Sequence, residues 1–366
     1  MIAIATQCLA PDVGGIETLL TGLADELAAN GRAIEVFADR IHRDGADELV
    51  RSYPIHRFGL FRPTRRWLKR RAIAARGPTR FVGAFADSWK SVAAIPADLA
   101  PIAAFAHGNE IPQDARGGKA ERVRTAFKRV ATVIAISQFT AEAVRRIVGE
   151  NGPRIVVVNP PLSRQATAGP AALSAIATRI AGRGPVLSTL SRLEPRKGVD
   201  MVIGALPQLR ERFPRIVYLV AGAGDDLPRL RALAAERGVA GQVEFLGALP
   251  DDQAKAALFE RSQVFAMPTR RVGASVEGFG IAYAEAAWRG VPSLAGSEGG
   301  ASDAVIDGRT GLLCRGDDPQ AVLAGLTTLL ADESLRERLG GAARQRAREE
   351  LTWERALPHY LAAIGL

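Results

Sequence analysis

Met267-Pro268-Thr269, then Glu277-Gly278-Phe279-Gly280-Ile281-Ala282-Tyr283-Ala284-Glu285, is the stretch on which the reading of this chain turns. Upstream, the apolar run Val264-Phe265-Ala266 has the composition of a buried strand. Downstream, residues 281–288 are rich in Ala and predict a helix that Gly290 and Pro292 stop. The order is therefore strand, long loop carrying Glu277, glycine turn, and helix carrying Glu285.

That order has a chemical use. Glycines at 278 and 280 let a ligand approach the backbone, and the unpaired amides of a helix N-terminus favour phosphate. Glu277 then lies beside whatever hangs off the phosphates, and Glu285 sits further along the helix. Two carboxylates that only accept hydrogen bonds suit hydroxyl-bearing groups on either side of a diphosphate. A nucleotide sugar has that shape.

Composition sets the frame. The 366 residues are long for one core and predict two domains; 47% hydrophobic and 24% charged residues are ordinary for a soluble globular chain. Cys8 and Cys314 are far apart and the four histidines show no ligand spacing, so neither a disulfide framework nor a clustered metal site is expected. The N-terminus lacks a basic leader and no apolar run is long enough to span a bilayer, which points to cytoplasmic residence. Charge is uneven. Residues 1–170 hold 24 Lys and Arg against 16 Asp and Glu, a balance of +8 of the total +9.

In the first half, a strand over residues 1–6 leads through Gly14-Gly15 to an amphipathic helix with Leu19, Leu20, Leu23 and Leu27, then to a strand over residues 33–38. This is a βαβ opening. Residues 51–80 carry ten basic and no acidic residues. A helix from about Thr64 places Thr64, Leu68 and Ala72/Ala75 on one side, with Trp67 and Ile73 near its edges. Arg62, Arg65, Arg66, Lys69 and Arg70 cover much of the rest. A basic amphipathic helix bearing a Trp suits an anionic membrane surface or acceptor. A solvated helix and a nucleic-acid patch are the alternatives, and no nucleic-acid motif accompanies it. Further strands are expected at 101–106, delivering His107, at 130–136, followed by a helix capped at Ser137, and at 155–158.

After a linker and short helix over 163–184, a second α/β unit opens with a strand at 186–190. The loop Ser191-Arg192-Leu193-Glu194-Pro195-Arg196-Lys197-Gly198 follows. Arg192 and Lys197, five apart in a strand-to-helix loop, can clamp a diphosphate, the one by a forked pair and the other as a point charge. Strands are also expected at 216–221 and 243–247. Leu227 stands where the third glycine of a dinucleotide fingerprint would fall, so a dehydrogenase reading fails.

Glu-x7-Glu around Gly-Phe-Gly, with Arg192 and Lys197 upstream and Gly14-Gly15-Ile16-Glu17 near the start, resembles the signature of retaining family-4 glycosyltransferases. The resemblance implies the GT-B architecture, two Rossmann-like domains facing a cleft. The boundaries are 1–165 for an acceptor-side domain and 166–351 for a nucleotide-sugar domain, with a helix of about 352–366 crossing back. It implies transfer of a hexose from a UDP- or GDP-sugar to an acceptor hydroxyl. Arg192, Lys197 and the amides at Phe279, Gly280 and Ile281 would neutralise the leaving diphosphate; Glu277 would hold sugar hydroxyls and Glu285 ribose hydroxyls. Gly15 and His107 would lie near the diphosphate and the donor sugar. Asn159-Pro160-Pro161 and Ser302-Asp303 depart from the family's usual Asn-Gly and Pro-Glu.

Without an Asp-x-Asp motif, no metal or other cofactor is expected. The basic first half favours a lipid-linked or membrane-proximal glycan acceptor, met at the inner face of the membrane, with Arg65, Arg66, Trp67, Lys69 and Arg70 as contacts. Two other classes remain: a nucleotide-sugar epimerase or phosphorylase of the same fold, and a non-catalytic membrane-surface protein.

Overall fold

The computed structural model describes residues 1–11, 14–40, 51–59, 61–77, 79–99 and 101–366. Asp12 and Val13 of the first glycine loop therefore lie outside the described residues. The chain divides into two compact units, one made of residues 1–163 with 352–366 and the other of residues 164–351.

The first unit is built on a seven-stranded parallel sheet of β1 (Ile2–Thr6), β2 (Ile34–Asp39), β3 (Ile55–Phe58), β4 (Gly83–Ala86), β5 (Ile102–Ala106), β6 (Thr132–Ala135) and β7 (Arg154–Val157). Their order is β3-β2-β1-β4-β5-β6-β7. Every residue of β1 and β5 is buried, the pattern of strands covered on both faces. The helix Gly15–Ala29 turns Leu19, Leu20, Leu23, Ala24 and Leu27 inward, as its leucine spacing predicts. Ser137 caps the helix Gln138–Val148 by accepting the Thr140 amide at 3.2 Å. The last helix, Trp353–Ala363, belongs to this unit: the Tyr360 ring packs 5.5 Å from Phe105 and 6.0 Å from Trp353. Gly22 leaves room for the indole of Trp353, which any side chain there would strike.

The second unit carries a six-stranded parallel sheet of β8 (Val186–Leu190), β9 (Val217–Ala221), β10 (Val243–Gly247), β11 (Val264–Met267), β12 (Ser293–Gly296) and β13 (Gly311–Cys314), ordered β10-β9-β8-β11-β12-β13. Its principal helix, Val199–Arg212, buries Val199, Val202, Ile203, Leu206 and Leu209 against this sheet.

The strands at β3, β4, β12 and β13 go beyond the sequence reading. Gly-Ala-Phe-Ala of β4 has little intrinsic strand preference and owes its conformation to pairing with β1 and β5. The basic helix forms over Arg62–Ala74, but its inward stripe is corrected. Thr64 and Ala75 are exposed, while Lys69 and Ile73 are buried. Lys69 can be buried because its ammonium lies 2.7 Å from Asp39 Oδ1 and donates to the Thr6 carbonyl at 2.9 Å. Among the described residues, no helix is long and apolar enough to cross a membrane.

Candidate active site

In each sheet the strand order reverses once, between β1 and β4 and between β8 and β11. Open parallel sheets form a crevice at the carboxyl ends of the strands on either side of such a reversal. The loops that leave β8 and β11 carry the sequence motifs singled out above.

After β8 the chain makes a short 3₁₀ turn, Pro195–Lys197, ended by Gly198 in the left-handed region at φ 73°. A side chain at 198 would collide with the Pro268 carbonyl, so glycine lets the two loops touch. They are also pinned by polar bonds. Arg270 makes a forked pair with Asp200 at 2.9 and 2.7 Å, and its amide donates to the Arg196 carbonyl at 3.0 Å.

Glu277 reaches into this junction. Its Oε2 accepts from Arg196 Nη1 at 2.7 Å and from Lys197 Nζ at 2.5 Å. Burial pushes the Glu277 carboxyl up, but Lys197 and then Arg196 outweigh it and bring the group down to about 2. Burial pulls the Lys197 ammonium below its usual value against the attraction of Glu277, and Arg196 adds to the fall. Glu194 continues the chain of charges, taking Arg196 on one oxygen and Arg192 on the other, each at 2.9 Å. Three cations and two carboxylates leave one positive charge in surplus. It lies toward Arg192, whose side chain is 70% exposed.

The Gly-Phe-Gly turn follows directly. Phe279 is buried and Gly280 adopts φ 87° at the start of the helix Ile281–Trp288. A side chain at 280 would strike the ring of Tyr283, which is itself buried and hydrogen-bonded to the Met267 carbonyl. No side chain caps this helix, so its first-turn amides remain available to an anion. The Glu277 carbonyl accepts the Gly300 amide at 2.8 Å, which gives the Gly299-Gly300 pair its place in the site. Further along, Glu285 Oε1 lies 3.1 Å from Lys255 Nζ on the helix Asp252–Glu260. Burial raises the Glu285 carboxyl, with Lys255 opposing.

The structure thus brings Arg192, Lys197 and Glu277 into one network through Glu194 and Arg196, and separately pairs Glu285 with Lys255; the sequence reading passed over Glu194, Arg196 and Lys255. Arg196 adjoins Lys197 in a Glu-Pro-Arg-Lys string, and a second cation there was the available signal. Nothing in the sequence ties Lys255 to Glu285.

His107 and Gly15 belong to the first unit. His107 follows β5, is buried, and donates through Nε2 to the Asp87 carbonyl at 2.7 Å. Because a carbonyl only accepts, that bond places a proton on Nε2. The ring stacks on Phe105 with centroids 6.0 Å apart. Gly15 opens the helix Gly15–Ala29 and is exposed. On the basic helix, Arg66, Trp67 and Arg70 are exposed, whereas Arg65 turns toward Asp39 at 3.5 Å. Lys69 is a correction: expected at the surface, it is only 2% exposed. Among the described residues, no group of three or more His, Cys, Asp or Glu is placed to hold a metal ion.

Similarity to known proteins assigns the class: the chain is a nucleotide-sugar-dependent glycosyltransferase. A glycosyltransferase family 4 profile matches residues 13–165 and one for glycosyl transferases group 1 matches residues 175–346. A GDP-mannose-dependent alpha-(1-6)-phosphatidylinositol monomannoside mannosyltransferase of Mycolicibacterium smegmatis is 32% identical over 365 residues, 96% of this chain and 94% of that protein. Its monoacylated-substrate counterpart of Corynebacterium glutamicum is 34% identical over 267 residues, 70% of this chain and 68% of that protein. The fold also matches sucrose-phosphate synthase from Thermosynechococcus elongatus, with a TM-score of 0.82 and 20% identity over 99% of this chain and 98% of that one. The chain belongs to the family-4, group 1 glycosyltransferases, and its two parallel α/β sheets are those of the GT-B fold.

Proposed function

We propose that this enzyme transfers mannose from GDP-mannose, with retention of the anomeric configuration, to a phosphatidylinositol-mannoside acceptor at a membrane surface. The similarity to the mycobacterial mannosyltransferase over nearly all of both chains supports the donor and the acceptor class. The observation that carries the chemistry is the Arg196–Glu277–Lys197 cluster beside the uncapped helix Ile281–Trp288.

The barrier is charge separation as the diphosphate leaves. Arg192, Lys197 and the amides at Phe279, Gly280 and Ile281 stabilise the negative charge that develops there, where fixed donors gain most. Arg196 holds Glu277 ionised, so its carboxylate accepts hydrogen bonds from sugar hydroxyls, and Glu285 takes the ribose. The bond from the anomeric carbon to the phosphate oxygen breaks with its electron pair going to the diphosphate. The acceptor oxygen bonds to the same face, and its proton passes to the departing phosphate oxygen. With three cations in the network, the reaction is assigned to proceed without a metal ion.

The test is incubation of purified enzyme with labelled GDP-mannose, UDP-glucose or UDP-galactose and a phosphatidylinositol monomannoside in detergent micelles. Label moving to the lipid from GDP-mannose supports the proposal. Transfer from a UDP-sugar alone removes the donor assignment, and loss of label only to water removes the acceptor.

A further inference from the structure

The charged groups of the second unit form one unbroken chain of alternating sign: Arg192, Glu194, Arg196, Glu277 and Lys197. Arg192 Nη1 meets Glu194 Oε1 at 2.9 Å, and Glu194 Oε2 meets Arg196 Nε at 2.9 Å. Glu277 Oε2 then takes Arg196 Nη1 at 2.7 Å and Lys197 Nζ at 2.5 Å. The two ends of the chain, Arg192 and Lys197, are the cations assigned above to the diphosphate. Glu194 and Arg196 join the exposed end to the carboxylate assigned to the sugar.

The links are unequal. The side chains of Arg192 and Glu194 are 70% and 33% exposed, those of Arg196 and Glu277 only 6% and 11%. An exposed ion pair is weak and screened, whereas a buried one is costly to break. An incoming anion therefore breaks the outer link, Arg192 to Glu194, and leaves the inner one. The backbone beneath Glu194 is fixed on both sides. The Leu193 amide donates to the Ala223 carbonyl at 2.9 Å, and the Glu194 carbonyl accepts the Lys197 amide at 2.9 Å across the turn Pro195–Lys197. Response to an anion thus falls to the Glu194 side chain. It meets Arg196 by one bond, Nε to Oε2, and the oxygen held by Arg192 is the one that a forked pair with the same guanidinium uses.

We propose that Glu194 is a positioning residue that couples the diphosphate to the sugar. As Arg192 turns to the phosphates, Glu194 closes a forked pair on Arg196, and Arg196 in turn fixes the Glu277 carboxylate against the sugar. Before that step Glu194 competes with the diphosphate for Arg192. This role rests on the reading of the network as a diphosphate and sugar site, and it gives that site an order: phosphates first, sugar alignment second.

Competition and positioning have opposite signs in one variant. Glu194→Gln releases Arg192 and removes a negative charge, so GDP should bind about two- to fivefold more tightly, the range an exposed ion pair spans. Arg196 loses its charged anchor, so transfer should slow at least about tenfold, the scale of a lost charge-assisted bond. The test is calorimetric titration of the full chain with GDP, together with single-turnover transfer from labelled GDP-mannose to a phosphatidylinositol monomannoside in detergent micelles. Single turnover excludes slower GDP release as the cause of a lower rate.

Tighter GDP binding with slower transfer is the expected result, and the binding itself shows that the variant is folded. Weaker GDP binding with slower transfer is the pattern of structural damage and overturns the proposal. Unchanged GDP affinity also overturns it, because Glu194 then does not compete for Arg192, and so does transfer at the wild-type rate. A wild type that uses UDP-glucose or UDP-galactose in place of GDP-mannose removes the donor reading alone. The same two measurements with UDP and that sugar then decide the role of Glu194.

Discussion

Replacing Glu277 with Gln keeps the shape of the side chain and removes its charge, leaving Arg196 and Lys197 buried around a neutral amide. The Glu277 carboxyl is brought from an ordinary 4.5 down to about 2. At about 1.4 kcal/mol per decade this corresponds to roughly 3 kcal/mol of stability at neutral pH, the low end of the ~3–5 kcal/mol for breaking a buried ion pair. For a unit spanning residues 164–351, that lowers Tm by roughly 6–12 °C. The sign with pH follows from a depressed carboxyl. Its contribution is complete above the unfolded value of 4.5 and is lost as pH falls through about 2. Calorimetric unfolding of wild type and Glu277→Gln at pH 7, repeated at successively lower pH, should show a large gap that narrows on acidification. A Tm within about 1 °C of wild type at pH 7 would refute the claim that Arg196 and Lys197 hold Glu277 as a buried anion.

Other consequences are separable. Arg192→Ala should cost less than about 1 kcal/mol of stability, because its pair with Glu194 is exposed, yet weaken GDP binding at least about tenfold for a lost charged contact; denaturant melts and calorimetric titration of the same preparation check both. Glu285→Ala should lower GDP affinity by about tenfold, the effect of about 1.4 kcal/mol, more than it lowers turnover at saturating donor; the opposite split of KM and kcat argues against a ribose role. Trp353→Ala should destabilise the first unit by ~3–5 kcal/mol, since the buried indole fills the space over Gly22, and chemical denaturation measures it. Chelation with EDTA should leave the initial rate of transfer unchanged, and restoration of a lost rate by magnesium alone would contradict the assignment of diphosphate neutralisation to Arg192 and Lys197.

The parts legible in the sequence are those that one local pattern decides. Continuous apolar runs such as Ile2–Thr6 and Val217–Ala221 mark buried parallel strands, and residues 281–288 predict the helix bounds as they are observed. Arg192, Lys197 and Glu277 stand out because charge and glycine sit together at strand ends. What stayed hidden depends on partners far away in the chain. Gly83–Ala86 becomes a strand only through its neighbours, and the burial of Lys69 needs Asp39, thirty residues upstream, and Thr6. Arg196 is marked in the sequence only by standing next to Lys197, and its bond to Glu277 forms only where the loops after β8 and β11 meet. The pocket lined by Gln7, Asp39, Lys69, Lys90 and Arg122 draws on five separate segments, so no single stretch announces it.

The proposed function requires the network of the second unit to activate GDP-mannose for transfer to a lipid acceptor. Its most direct test is one transfer reaction with GDP-mannose labelled at the anomeric carbon and a phosphatidylinositol monomannoside, read by NMR of the extracted lipid. Wild type should give an α-linked mannosyl lipid, and Lys197→Ala should give none above background while remaining folded. A β-linked product, or undiminished transfer by Lys197→Ala, would contradict the account.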